Sequence, residues 1–444
     1  MRAKTFAKGV HPWDFKELSK QRPTEVVKPG KRVVIPLHQH TGAPAEPLVK
    51  KGDRLLVGQK IGEAKGFISA PVHSSVSGTV LSVAPFLSPV GRKVLCVEIE
   101  NDDGYEVNPS IRPFHEGIEE YTPEEVRESV REAGIVGLGG AAFPTAVKLS
   151  PPKDQTIDAV VLNGAECEPY LTTDHRLMLE RADEILKAAE AVRMTVGAKE
   201  IHVGIEENKG DVIDLWSRKV KGFPHVHVEA VKTKYPQGGE KMLIKALLNR
   251  EVPCGGLPFN VGVIVQNVGT LNAVYDSLTT GMPLIKRGLT ISGDGVAKPS
   301  NLEVSIGTLF SDLIEGCGGY KGDVNRVLMG GPMMGISQST DQVPVIKATS
   351  GILVMAGAAP GGKEYPCIGC NSCTNHCPMG LVPTTIVSLV RAGKAMESKD
   401  WGLTDCMECG TCAFVCPAHI PLVQWVRYGK AEYLKEKKRL ESQG

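Results

Sequence analysis

The sequence of 444 residues contains no long hydrophobic run. Its best apolar stretch, Val261 to Val265, is far short of the ~20 residues that span a bilayer. No membrane-spanning helix is expected. Surplus charge is also missing: Lys+Arg 51 against Asp+Glu 50 give +1. No global field attracts nucleic acid, and none is expected as a partner. The opening MRAKTFAKGV lacks an apolar leader, so no secretory signal is read there. The expected location is cytoplasmic, where thiols stay reduced. Charge is nonetheless uneven. Residues 1–32 hold nine Lys/Arg and three Asp/Glu. This basic arm is either solvated or set to meet an acidic partner or an anionic membrane surface. Hydrophobic content of 42% and charged content of 23% suit globular domains, and the length suggests roughly two to four of them.

What is present in abundance is patterned cysteine. Eight of twelve lie in two copies of one spacing, Cys367-x2-Cys370-x2-Cys373-x3-Cys377-Pro and Cys406-x2-Cys409-x2-Cys412-x3-Cys416-Pro. This is the spacing of two-cluster bacterial ferredoxins, in which the fourth Cys of each run ligates the other cluster. The expected sets are Cys367, Cys370, Cys373 and Cys416 for one [4Fe–4S] cluster, and Cys406, Cys409, Cys412 and Cys377 for the second. A zinc site would use paired spacings and stop at four ligands. The chain is thus expected to move single electrons. Cys96, Cys167, Cys254 and Cys317 are scattered and read as small packed side chains, with Cys167 placed near a cofactor by its motif.

The remaining chain divides by pattern. Residues 33–110 read as short strands with Gly/Pro/Asp turns, such as Lys51-Gly52-Asp53 and Val57-Gly58-Gln59. They resemble a biotinyl/lipoyl-type barrel-sandwich domain without its modifiable lysine turn, hence a scaffold. His38, His40 and His73 fit no common metal spacing. Residues 111–285 alternate strand and helix: apolar runs Ala159–Leu162, Ile201–Ile205, Val226–Val231 and Gly262–Gln266, with helices over Leu177–Val196 and Glu240–Leu248. That pattern predicts a parallel sheet covered by helices on both faces. Thr122-Pro-Glu-Glu125 predicts a capped helix start and Gly134 its end. Residues 286–345 are Gly-rich with short strands, a small β domain. Ala358 to Gly362 read as a linker, 357–430 as the cluster domain with a short helix Thr384–Arg391, and 431–444 as a charged tail. The expected fold is a multidomain α/β chain.

Four segments of the α/β region point to a nucleotide. The first is Gly134-Ile-Val-Gly137-Leu-Gly139-Gly140-Ala-Ala-Phe143-Pro-Thr-Ala-Val-Lys148. It contains GxGxxA, but a Rossmann fingerprint follows a strand, and here a capped helix precedes. Bare glycines still let backbone N–H groups approach phosphate or a flat ring, and Lys148 has the reach for a phosphate. The second, Asn163-Gly-Ala-Glu166-Cys167-Glu168-Pro-Tyr, follows a buried strand, where ligands of open α/β sheets sit. Tyr235-Pro-Gln-Gly238-Gly239-Glu240-Lys and Asn267-Val-Gly-Thr-Leu also follow strands and open helices.

Together these resemble the flavin- and NADH-binding subunit of respiratory complex I, with its Gly-Phe-Pro-Thr-Gly-x-Lys, Glu-Pro-Gly, Tyr-x-x-Gly-Glu-Glu and Asn-Val-Glu-Thr-Leu segments. The resemblance implies FMN held by Gly137, Gly139, Gly140, Lys148, Asn163, Glu166, Tyr235, Gly238 and Asn267. It implies NAD(H) stacking on Phe143, with Glu166, Glu168 and Glu240 orienting rings and ribose hydroxyls. Ala165 departs from the usual Asp, and Gly239 from the first of two Glu residues. Over nearly the whole chain the sequence resembles the RnfC component of the Rnf ion-translocating electron-transport complex. GLGGAAFPT, NGAECEPY, YPQGGEKML, the opening Lys4-Thr-Phe6-x-x-Gly9-Val10-His11-Pro12 and the duplicated Cys motif carry that resemblance, as does Gly293 to Gly335 for a soluble-ligand-binding β-grasp domain.

The resemblance implies a peripheral subunit on the cytoplasmic face of the membrane. Its partners would be integral-membrane and ferredoxin-side subunits, with ferredoxin reached indirectly. The implied enzyme is a ferredoxin:NAD⁺ oxidoreductase that translocates an ion. The chemistry is coherent: nicotinamide exchanges two electrons at once, a cubane exchanges one, and flavin couples the two. No acid–base or nucleophilic residue is required. Two alternatives use the same parts. One is a cobalamin reductase of the propanediol-utilisation type, whose sequences usually lack the long basic opening. The other is an electron-relay scaffold with a degenerate nucleotide site, which Gly239 keeps open.

Overall fold

The computed structural model describes residues 3–357 and 362–442. Most of the expected linker, Ala358 to Gly361, lies outside them. Residues Arg32–Pro36, Arg92–Asn101, Gly78–Ser88 and Arg54–Leu55 form an antiparallel four-stranded sheet, which packs with a three-stranded sheet of Glu46–Pro47, Lys60–Glu63 and Val72–His73. Alternating Val33, Ile35 and Leu37 turn inward with Leu55, Ile61, Val97 and Ile99 to make the core between them.

The α/β unit is built on four parallel strands in the spatial order Val226–Val231, Glu200–Glu206, Ala159–Gly164, Val263–Asn267. The centres of Ala159–Gly164 and Val263–Asn267 are continuous apolar runs because both faces are covered. The chain order reverses between Ala159–Gly164 and Val263–Asn267, so the carboxyl ends of these two strands flank a crevice. The helix Pro123–Glu132 opens on a full capping box between Thr122 and Glu125, and Gly134 turns the chain at φ 63° after it. One expectation fails here. The segment Leu177–Val196 is not one helix but the ends of two, Thr173–Glu180 and Ala182–Val196. Arg181, at φ −130° and ψ 32°, breaks the helical path, and its guanidinium is drawn to Glu184 and Asp276.

A six-stranded mixed sheet forms the third unit, in the order Thr24–Val27, Ser300–Ser305, Lys286–Ser292, Gly351–Ala356, Val324–Met329, Ile336–Gln338. The helix Phe310–Gly316 covers it with Phe310, Leu313 and Ile314. The first strand comes from the basic arm. That arm is therefore not a solvated appendage. Lys4 bridges to Val231 and Val10 to Tyr235. The Gly9 N–H donates to His376 O at 3.1 Å. Lys16 is 4% exposed and donates to Glu168 O at 3.1 Å. Lys4 and Lys16 are used within the fold because backbone carbonyls and Glu229 supply their partners. The fourth unit packs short helices Ser372–His376, Pro383–Arg391 and Thr411–Phe414 against Leu422–Glu441 around Ile386, Leu403, Leu422 and Val426. The charged C-terminal segment continues that last helix through Glu441.

Candidate functional site

Two cavities organise the cysteines. One is lined by Cys367, Cys370, Cys373 and Cys416. The other is lined by Cys377, Cys406, Cys409 and Cys412. Each motif thus sends its fourth cysteine to the other's cavity. The thiols ring a space instead of converging on a point: among the described residues, no three His, Cys, Asp or Glu side chains are placed to hold a single metal ion. Burial pushes the Cys406 thiol up to about 11, and burial with the nearby Cys406, Cys409 and Cys377 pushes Cys412 up to about 12. Four thiols crowded away from water suit a multinuclear cation that takes them as thiolates. The two cavities differ in setting. Cys367 and Cys370 are exposed, whereas the loop of Cys406 to Cys409 packs against the α/β unit.

The glycine-rich loop runs between the helix Pro123–Glu132 and a single turn Thr145–Lys148. It closes on itself: the Gly137 N–H donates to Phe143 O at 2.8 Å and the Ala142 N–H to Gly137 O at 3.2 Å. Its tip, Gly139 and Gly140, is exposed. A Cβ on Gly139 would sit 3.3 Å from Asn267 Cβ, and Gly140, at φ 123°, has open space before it. Asn267 caps its helix by accepting from the Gly269 N–H at 2.8 Å and donates to Asp174 Oδ2 at 2.7 Å. Asn163 donates to Gly238 O at 2.8 Å, and the Gly238 N–H donates to Cys167 Sγ at 3.3 Å. A Cβ on Gly238 would stand 2.2 Å from Ala165 O, so only glycine allows these two loops to meet. The loops and helix ends therefore converge at the carboxyl ends of Ala159–Gly164 and Val263–Asn267, with Phe143 half-buried beside them.

Several carboxylates are engaged. Glu166 is 7% exposed and accepts the Asp174 and His175 N–H groups at 2.8 and 3.3 Å, capping a helix start. Burial pushes it above the ordinary carboxylate range, as it does Asp174. Glu168 faces the third unit, accepting Met333 N–H at 3.0 Å and Met334 N–H at 2.8 Å, with burial raising it to about 7. Tyr235 donates its hydroxyl to Cys409 O at 2.7 Å in a buried contact with the cluster loop. Lys148 pairs with Glu240 at 2.6 Å and donates to Val265 O at 3.2 Å. A Cβ on Gly239 would stand 2.5 Å from Met407 Cε, so the space an extra Glu would fill is occupied by the loop of the second cysteine motif.

The donor set around the crevice fits a flavin. Buried polar atoms there lack partners: Thr145 Oγ1, both ends of the Gln237 amide and Gln266 Nε2. Such groups are ordinarily satisfied by ligand or water. Residues 130–276 match the Nuo51 FMN-binding domain, and 366–420 match the 4Fe-4S dicluster domain. Residues 4–104 match the RnfC barrel sandwich hybrid domain and 289–337 the SLBB domain. The C component of the Na⁺-translocating ferredoxin:NAD⁺ oxidoreductase complex of Acetobacterium woodii is 41% identical over 98% of this chain and 98% of its own. The proton-translocating counterpart from Clostridium ljungdahlii is 43% identical over 97% and 94%.

The chain belongs to the RnfC family. The C component of the ion-translocating oxidoreductase complex of Rhodobacter capsulatus, at 39% identity over 97% of this chain and 83% of its own, is a further relative. The cofactors of this RnfC chain are FMN and [4Fe–4S] clusters. Among the described residues no helix is long and apolar enough to cross a membrane. Sequence reasoning had missed Asp174, Arg287 and Met407. Asp174 and Arg287 stand in an ordinary helix and strand, and only the fold brings them to the loop. Met407 lies inside the second Cys motif, and its contact with Gly239 is set by the fold.

Proposed function

We propose that this RnfC chain is the NAD(H)-facing peripheral subunit of an ion-translocating ferredoxin:NAD⁺ oxidoreductase complex. The observation that carries it is the direct seat of the Cys406–Cys409 loop on the flavin unit, through Tyr235 to Cys409 O and Met407 against Gly239. Bound FMN supplies exchange between two-electron and one-electron carriers. The residues divide the remaining work. Gly137, Gly139, Gly140, Asn163, Gly238 and Asn267 hold the flavin through backbone and amide groups, and Phe143 offers a face to the dinucleotide. Lys148 and Glu240 bound the crevice as a pair, and Glu166 fixes the loop beside it. Glu168 and Tyr235 also brace the flavin unit against its two neighbours. Cys377, Cys406, Cys409 and Cys412 hold the inner cluster. Cys367, Cys370, Cys373 and Cys416 hold the outer one, at the surface where a partner can approach. Burial around the inner set excludes water and keeps the two sites in register.

Integral-membrane and ferredoxin-side subunits are the partners, ferredoxin is reached indirectly, and the chain associates with the cytoplasmic face through them. Two relatives of similar identity are named for different ions. That supports an ion choice made elsewhere in the complex. The test is affinity purification of the tagged chain from native membranes. Recovery of integral-membrane subunits with NAD⁺-linked ferredoxin oxidation is expected. Recovery of the chain without membrane partners, and with cobalamin-reducing activity, would instead support the cobalamin reductase reading.

A further inference from the structure

The third unit, whose residues 289–337 match the SLBB domain, reaches into the flavin loop with a buried arginine just before that match. Arg287 lies in the strand Lys286–Ser292 and is 3% exposed. Its Nη2 donates to Leu138 O at 2.7 Å and its Nε to Thr349 O at 2.8 Å. Nη1 lies 3.4 Å from where a Cβ on Gly269 would stand, two residues from Asn267. The Leu138 N–H is held from the other side by Thr270 Oγ1 at 2.9 Å. Both ends of the Leu138 residue are thus fixed. In a trans peptide the C=O and the next N–H point in opposite directions. Drawing the Leu138 carbonyl toward Arg287 therefore turns the Gly139 N–H away from it, to the exposed side of the loop.

A neutral amide could hold a carbonyl equally well. A buried guanidinium is costly unless its charge has a use. Among the described residues Arg287 forms no salt bridge; its fork is taken by two backbone carbonyls. Asp174 and Glu166 face it from the helix Thr173–Glu180 and the loop before it, but Asp174 is bonded to Asn267, and Glu166 to backbone N–H groups. Neither carboxylate takes an N–H of the fork, so the guanidinium's field reaches the loop alongside theirs.

We propose that Arg287 is a positioning residue for the flavin: it aims the Gly139 N–H at the cofactor and sets a fixed positive charge behind that contact, so that the SLBB unit shapes flavin affinity and reduction potential. This rests on the assignment of Gly137–Gly140 to FMN. The test uses the full chain, purified anaerobically with both clusters, stripped of FMN and titrated with FMN by fluorescence quenching. In Arg287→Met, oxidised FMN should bind at least tenfold more weakly. Reduced FMN should lose a further tenfold, which is a two-electron midpoint about 30 mV lower. Arg287→Lys keeps the charge without the fork; its affinity should fall while its midpoint holds. An unmoved midpoint in Arg287→Met overturns the proposal whatever the affinity. If that variant does not fold, unchanged affinity in Arg287→Lys overturns it. Gly139→Val separates the two layers of the argument: retained flavin there refutes the loop assignment, whereas lost flavin leaves Arg287 as the only question.

Discussion

Replacing Gly238 with alanine adds one methyl group at the point where two loops of the flavin site meet. That Cβ would lie 2.2 Å from Ala165 O and 3.4 Å from Cys167 Sγ. The first distance is well inside any contact a real Cβ makes, and the obstacle is backbone, so a loop must move. Two bonds span the same gap, Asn163 Nδ2 to Gly238 O at 2.8 Å and Gly238 N–H to Cys167 Sγ at 3.3 Å, and both open with it. Overpacking of this kind costs about 1–3 kcal/mol. If flavin binds only the closed arrangement, affinity falls by roughly the same free energy, about 5- to 150-fold. The iron content should be unaffected, because the cysteine cavities lie in another unit. The assay is FMN per chain after anaerobic purification, followed by titration with FMN, with iron counted in parallel. Full flavin occupancy at unchanged affinity in a folded Gly238→Ala protein would refute the close-approach argument.

Cys377→Ser should damage the cluster of Cys406, Cys409 and Cys412 and leave about four of about eight iron atoms; damage confined to the cluster of Cys367, Cys370 and Cys373 would refute the crossed grouping. Phe143→Ala should raise the KM for NADH about tenfold or more, since stacking on an aromatic ring contributes roughly 1–3 kcal/mol, and should barely move Tm. A core phenylalanine would instead cost about 3–5 kcal/mol of stability, so strong destabilisation with normal NADH affinity would contradict the stacking role. Burial lowers Lys347 to about 7 while its Nζ donates to Pro71 O and Gly134 O at 2.9 and 2.7 Å. The unfolded chain therefore binds one more proton between about pH 7 and the ordinary lysine value of 10.5. Stability from this group rises with pH across that window, by at most about 1.4 kcal/mol per pH unit, and is flat below it. The stability of wild type relative to Lys347→Met should rise from pH 7 to 9.5 in denaturant titrations; a constant difference would argue against it.

Legibility in the sequence followed locality. The cysteine sets could be read because three thiols at i, i+3 and i+6 face one space and the fourth must face elsewhere. The four strands could be read because each is rich in apolar residues, broken only by His202 in one and by His227 and Glu229 in another. The course of the arm could not. Its lysines look solvated until Glu229 and the carbonyls of Glu168 and Leu171 are brought to them across more than 150 residues. Glu168 and Tyr235 sit in the right motifs, but their side chains serve contacts with neighbouring units that no local pattern encodes. Gly239 looked like a lost carboxylate. The Met407 side chain that packs on it lies in a different unit.

If flavin and clusters in this chain form one electron-transfer unit fed by NAD(H), electrons from NADH must reach the clusters through FMN. The most direct test is low-temperature EPR of the anaerobic full-length protein after NADH is added, with FMN bound and with FMN stripped. Reduced-cluster signals are expected in the flavin-loaded protein and none in the stripped protein until FMN is restored. Cluster reduction by NADH without flavin, or flavin bleaching that never reaches the clusters, would contradict it.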